Sequence, residues 1–385
     1  ATGNTLQTDI EVTADLDFSS SNLTLPLGAF SNGTCVAFSG VIQGNGHSIK
    51  GLKMNNTGKS LYDDAGLFCK LKNATVENLV IDSSCSFTGY WAGALSVSVD
   101  GSLTVKHTTN NAVVSGRWRV SGFIGYVRDL KQSNVISFED CVNNGNVTGS
   151  EYYVGGFVGD IYGNTNITIT ISNSINNGNV TGDKNLVGGF VGYIYGNTNM
   201  TITISNSINN GNVTGSGDWD VGGFVGDIEG NTNMMVVIST SVNNGTIKGN
   251  GKGVGGFVGD IYHNTNMTMT TSNSINNGNV TCSWSYVGGF VGLISSFNSH
   301  SITLDITNSA NKGSVSSTKE MACGFVCVGS DYTFNGKTTV KNSINKGSVN
   351  AGTNGYGITN IITEARNVVS MGDVTGPSGS FTFWN

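Results

Sequence analysis

Residues 155–159 read Gly-Gly-Phe-Val-Gly, and the same five residues return at 188–192, 222–226, 255–259 and 288–292, once every 33 or 34 residues. A second signature follows each copy about 20 residues on: Ser174-Ile-Asn-Asn-Gly-Asn-Val-Thr-Gly, then Ser207-Ile-Asn-Asn-Gly-Asn-Val-Thr-Gly, Ser241-Val-Asn-Asn-Gly and Ser274-Ile-Asn-Asn-Gly. Two motifs at one spacing establish a structural repeat. Looser copies, Ser121-Gly-Phe-Ile-Gly and Cys323-Gly-Phe-Val-Cys, and weaker ones at Ala65-Gly-Leu-Phe, Ala92-Gly-Ala-Leu and Asn354-Gly-Tyr-Gly-Ile, extend it over almost the whole chain.

Within a unit, Ile167-Thr-Ile-Thr-Ile, Met200-Thr-Ile-Thr-Ile and Met267-Thr-Met-Thr alternate with period two, the pattern of a strand with one buried face. Units of two or three strands cannot each enclose a core, so they must stack. Propeller blades need about 40 residues or more, which leaves an all-β, single-stranded parallel β-helix of about ten coils, roughly 4.8 Å per coil. Stacking predicts one ladder of Phe157, Phe190, Phe224, Phe257 and Phe290 and another of Ile175, Ile208, Val242, Ile275 and Ile344. Asn-Asn-Gly reads as a turn of positive φ. Asn173, Asn206, Asn273, Asn308 and Asn342 are expected to face inward as an asparagine ladder, since buried amides need partners. The chain divides into an N-terminal cap with first coils (1–64), the repeat array (65–352, most regular over 120–315) and a last coil with a C-terminal cap or exchange strand (353–385).

The 385 residues include 56 glycines but only 11% charged side chains, with a formal charge of −6. No basic patch offers itself to nucleic acid, and no run reaches the roughly 18 apolar residues of a membrane span. The sequence begins at Ala1-Thr-Gly-Asn, without Met or an apolar leader. A removed signal peptide would give this start, as would a chain cut there for another reason. Secretion, to the extracellular space or cell surface, is the expectation. Seven cysteines lack metal-type spacing, so local disulfides and at least one free thiol are expected, with no zinc or other cofactor.

The Gly-Gly-Phe-Val-Gly runs resemble the GLUG motif. The stretch Phe38-Ser-Gly-Val-Ile-Gln-Gly-Asn-Gly-His-Ser-Ile-Lys-Gly-Leu, followed by Ala65-Gly-Leu-Phe, resembles the opening of GLUG-motif right-handed β-helix surface proteins. That resemblance implies right-handed coiling, a turn role for His47, and an adhesin-like or surface-layer rod.

Candidate chemistry is sparse. Asp160, Asp227 and Asp260 share a repeat position with Tyr193 and Leu293, which argues against calcium ligation and leaves them as solvated turn aspartates. Asp63-Asp64 and Glu139-Asp140 lack a catalytic partner at coil spacing, so no catalytic residue is assigned. Twelve Asn-x-Ser/Thr sequons stand as glycosylation candidates: Asn22, Asn32, Asn55, Asn73, Asn146, Asn166, Asn179, Asn199, Asn212, Asn244, Asn266 and Asn279. Rows of Thr168 and Thr170, Thr201 and Thr203, and Thr268 and Thr270 admit an ice-binding face, interrupted at Val236-Val237. Tyr153, Trp219, Trp284 and Tyr286 are candidate glycan or partner contacts, among other outward tyrosines. Phe381, Phe383 and Trp384 are candidate subunit contacts for a head-to-tail homopolymer. The leading expectation is a non-catalytic extracellular structural protein, an adhesin-like rod or filament subunit. The alternative is a carbohydrate-binding or polysaccharide-acting β-helix.

Overall fold

Each repeat closes one coil of five short strands, not two or three, as the unit beginning at Val191 illustrates. The computed structural model describes residues 5–30, 34–56, 63–184, 186–295, 301–329 and 336–377, and the backbone alone at 380, 381, 383 and 384. Strand Val191–Tyr195 pairs in parallel with Val158–Tyr162 below and Val225–Glu229 above. Thr198–Ser205, Ile208–Asn209, Val213–Gly215 and Val221–Gly222 do the same with their repeat equivalents. The ladders form three sheets of 21, 13 and 19 strands, and together make an all-β parallel solenoid of about ten coils. Among the described residues no helix is long and apolar enough to cross a membrane.

The core is a set of vertical ladders. Phe157, Phe190, Phe224, Phe257 and Phe290 are fully buried and stack ring on ring at 4.7–4.9 Å. Phe123 and Phe325 extend the column at its two ends. Such ring pairs add about 0.5–1.5 kcal/mol each beyond their buried area. In the long strand Ile202 and Ile204 point inward while Thr201 and Thr203 point out, as the alternation requires.

The expected asparagine ladder exists, but one residue class away from where the alternation placed it. Asn173, Asn206, Asn273, Asn308 and Asn342 are exposed, with φ between 48° and 51°. They end the long strand in the left-handed conformation that asparagine tolerates. This turn resets the inward phase, and a one-residue slip exchanges the faces of a strand. The next two-residue strand therefore buries its asparagine, while Ile175, Ile208, Val242, Ile275 and Ile344 stay half-buried. Asn143, Asn176, Asn209, Asn243, Asn276, Asn311 and Asn345 form the buried ladder. Each Nδ2 from Asn143 to Asn311 donates to the next Oδ1 at 2.7–2.8 Å and to the carbonyl of the glycine two residues on. A second buried ladder, Asn164, Asn197, Asn231 and Asn264, bonds at 2.9 Å. Its signal, the repeated Asn-Thr-Asn of 164–166 and its copies, went unread in the sequence.

No residue of 176–178 has positive φ, so the glycine of Asn-Asn-Gly serves another purpose. A Cβ on Gly178 would lie 2.0 Å from the carbonyl oxygen of Gly145 in the coil beneath, and one on Gly211 1.9 Å from that of Gly178. The coils approach too closely there for any side chain.

Cys35 pairs with Cys69 across one coil, and Cys323 with Cys327, leaving Cys85, Cys141 and Cys282 buried and free. Burial pushes the Cys141 thiol up to about 12 and raises the other two. Because the thiolate is the reactive form, native protein should react with Ellman's reagent at least about a hundredfold more slowly than urea-unfolded protein; comparable rates would contradict the burial. At the C-terminus the backbones of Phe383 and Trp384 pair antiparallel with Val369 and Val368, and Phe381 with Tyr356. The segment expected to serve as cap or exchange strand thus pairs with the chain's own last coils.

Candidate functional site

One outer face of the widest sheet is covered as well as its inner face. The strands Val158–Tyr162, Val191–Tyr195, Val225–Glu229 and Val258–Tyr262 bury four consecutive residues each. The loops that lead into the Val154–Gly155, Val187–Gly188, Val221–Gly222 and Gly253–Gly255 strands supply the cover. Two rows result. Along the sheet, in register, stand Tyr126, Asp160, Tyr193, Asp227, Asp260 and Leu293. Along the covering segments stand Arg119, Tyr153, Leu186, Asp220, Gly253 and Tyr286, of which Tyr153, Leu186 and Asp220 lie in loops and the others within strands, each next to a registered residue.

These rows correct the reading of the aspartates as solvated turn residues. Asp160, Asp227 and Asp260 are 1%, 4% and 5% exposed. A carboxylate so placed needs a partner, and the coils differ in whether they provide one. Asp160 accepts a hydrogen bond from Arg119 Nε at 2.8 Å. That guanidinium lies over the rings of Trp91, Tyr126 and Tyr153, 5.1–5.7 Å from their centroids. One coil on, Tyr153 and Tyr193 stack at 4.9 Å with ring planes 2° apart. Thereafter the matching stops. Leu186 stands to Asp227, and Asp220 to Asp260, as Arg119 stands to Asp160. The Oδ1 atoms of all three aspartates lack a hydrogen-bond partner; what sets Asp160 apart is the Arg119 cation on its Oδ2.

The mismatch opens a pocket of about 290 Å³, lined by Tyr152, Tyr153, Trp219, Lys252 and Tyr262 together with Asp220, Asp227, Glu229 and Asp260. Glu229 accepts from the Tyr193 hydroxyl at 2.6 Å, and the Lys252 ammonium rests 4.5 Å from the Trp219 ring centroid. Burial pushes Asp220 up to about 7. It also raises Asp227 and Asp260 well above the carboxylate range, with the charge of Asp220 as a further cause for both. Among the described residues no group of acids, histidines or cysteines is arranged to hold a metal ion. Upstream on the same face a second cleft, about 370 Å³, is lined by Asp64, Trp91 and Tyr126. Burial pushes Asp64 up to about 7 as well, against a hydrogen bond from the Trp91 amide.

The four aromatic contacts read from the sequence separate here. Trp219 is 43% exposed at the pocket rim and Tyr153 half-buried in its wall. Trp284, though exposed, sits in another cleft beneath Lys319, whose ammonium is 3.6 Å from its ring centroid. Tyr286 is buried in a small cluster with Leu293, Met321 and the Cys323–Cys327 pair, so it presents no outward contact. Eleven of the twelve sequon asparagines are exposed; Asn32 lies outside the described residues. Asn199 donates through Nδ2 to Asn166 Oδ1 in an outer ladder. The threonine rows face outward but are broken by Met235 and Val237, which align with Thr201 and Thr203, while Val236 points into the core. The side chains of Phe381, Phe383 and Trp384 lie outside the described residues.

No family model matches the chain. Halomucin of Haloquadratum walsbyi is 30% identical over 160 residues, 36% of this chain and 2% of that protein, so the chain spans a small fraction of its relative's length. A solved structure from Bacteroides ovatus, provisionally named an immunoglobulin A1 protease, aligns with a TM-score of 0.42 and 19% identity over 69% of this chain and 70% of that one.

Proposed function

We propose that the chain is part of a secreted or cell-surface β-solenoid, an adhesin-like and non-catalytic rod that binds carbohydrate in the pocket under Trp219. The single observation behind this reading is the convergence of an exposed indole, tyrosine rings and buried carboxyls in one open cleft of about 290 Å³. Sugars present apolar ring faces and a rim of hydroxyls, and clefts that hold small ligands combine aromatic walls with a few placed polar groups. The partial likeness to halomucin, a mucin by name, supports the extracellular placement. Filament formation by end-to-end stacking ranks behind glycan binding, because the pocket gives binding a defined location.

Glycan-array profiling followed by calorimetry tests the proposal. Trp219→Ala should weaken the best saccharide by about tenfold or more, a loss of about 1.4 kcal/mol or more, with an unchanged circular dichroism spectrum. Trp284→Ala, outside the pocket, should leave affinity within about twofold. Equal effects of the two substitutions, or saccharide binding indifferent to both, would remove the pocket from the function.

A further inference from the structure

The solenoid contains its own control for what the pocket lacks. At the Arg119–Asp160 coil, a buried carboxylate is paired through Oδ2 with a cation held among aromatic rings. At the Asp227 and Asp260 coils the carboxylates are equally buried, and the rings of Tyr153, Trp219 and Tyr262 stand around the same cleft. The position from which Arg119 supplies its charge is occupied instead by Leu186 and by a third carboxyl, Asp220. Among the described residues, Lys252 is the one cationic side chain in the lining, against Asp220, Asp227, Glu229 and Asp260.

We infer that the pocket takes a primary ammonium group, presented on a de-N-acetylated amino sugar, which sits against Asp227 and Asp260 as the Arg119 guanidinium sits against Asp160. The inference rests on the carbohydrate reading above and narrows it from sugars in general to amino sugars. Three features support the cation over a neutral sugar. Asp227 and Asp260, both buried and neither ion-paired among the described residues, line the cleft. Ammonium groups are attracted to aromatic faces, most strongly where water is excluded. An ammonium donates three directional hydrogen bonds, enough to reach more than one carboxyl. Because burial keeps Asp220, Asp227 and Asp260 inclined to hold protons, an incoming R–NH3+ leaves carboxylate paired with ammonium and transfers the carboxyl proton to solvent.

Calorimetry with the glucosamine trimer, its fully N-acetylated counterpart and spermidine, in buffers of different ionisation enthalpy, tests this. The expected result is that the amino trimer binds about tenfold or more tightly than the acetylated one and releases protons on binding. Asp227→Asn with Asp260→Asn should abolish that preference. Should that double variant fold poorly, Leu186→Arg serves instead: Leu186 and Arg119 share a left-handed backbone, φ 65° and 53°. The new guanidinium should satisfy Asp227 internally and exclude the amine. Equal binding of the two trimers, without proton release, would overturn the ammonium inference and leave the carbohydrate reading standing. Spermidine binding with neither trimer bound would overturn both. Binding of none of the three would overturn the inference, with the carbohydrate reading then judged by the Trp219 experiment alone.

Discussion

Gly211→Ala is expected to lower stability by more than about 4 kcal/mol, in the range reserved for gross backbone conflict. The added Cβ would stand 1.9 Å from the Gly178 carbonyl oxygen and 2.7 Å from its carbon. Neither backbone can retreat. The Asn210 and Gly211 amides both donate to the Asn176 carbonyl, and the Asn209 side chain ties coil to coil on the same turn. Gly196→Ala is the instructive comparison. Gly196 has φ of 63°, but only Tyr162 Cε2 comes within 4 Å of its Cβ position, so the penalty is the left-handed conformation alone, about 1–2 kcal/mol. Urea midpoints of the two variants, with hydrogen exchange to localise the damage, decide the matter. In a stacked array the effect should centre on the coils that Gly178 and Gly211 join. If both variants unfold at the same urea concentration, close coil approach is not what fixes glycine at this turn.

Stability should also fall as pH rises from about 4 to about 7. Asp220 binds its proton more tightly folded, at about 7, than unfolded, at 3.8. A raised native pKa contributes stability in full below the unfolded value and loses it as pH climbs through the native one, here on the order of 4 kcal/mol. Asp64 moves the same way and to about the same value, and Asp227 and Asp260 share the direction. Surface acids act oppositely. The hydrogen bond from Lys50 draws Asp15 down to about 2, and one from Lys341 lowers Glu364, so their contributions disappear only below the ordinary carboxylate range. The balance places maximum stability at mildly acid pH. Urea midpoints at about pH 4.5 and about pH 8 should show the loss, and the triple variant Asp220→Asn, Asp227→Asn, Asp260→Asn should reduce it, leaving the share that Asp64 contributes. A native protein more stable at the higher pH would reverse the sign and refute the account.

Both expectations depend on features that differ in how far the sequence reveals them. The phenylalanine column was legible because Gly-Gly-Phe-Val-Gly recurs at a fixed spacing, and a repeat unit too short for its own core has to stack. The threonine and isoleucine alternation likewise placed the faces of the long strand correctly. The asparagine ladder was legible in kind and misplaced in position. Alternation carries a phase only as far as the next left-handed residue, and Asn173 and its equivalents reset it. The pocket was least legible. Asp227 and Asp260 read as solvated turn aspartates, and nothing in the repeat pattern along one coil tells of another segment folding over that face. Trp91 and Leu186 were not singled out at all.

The amino-acid sequence by itself determined the architecture: parallel coils with like residues stacked, since period and hydrophobic alternation are local properties that any fold of this chain must satisfy. Only the tertiary structure decided which outward carboxyls lose their water, and which of those find a cation. Desolvation depends on what a distant loop covers. For Asp160 the covering segment, a strand, brings Arg119, and for Asp227 and Asp260 the covering loops bring leucine and another acid.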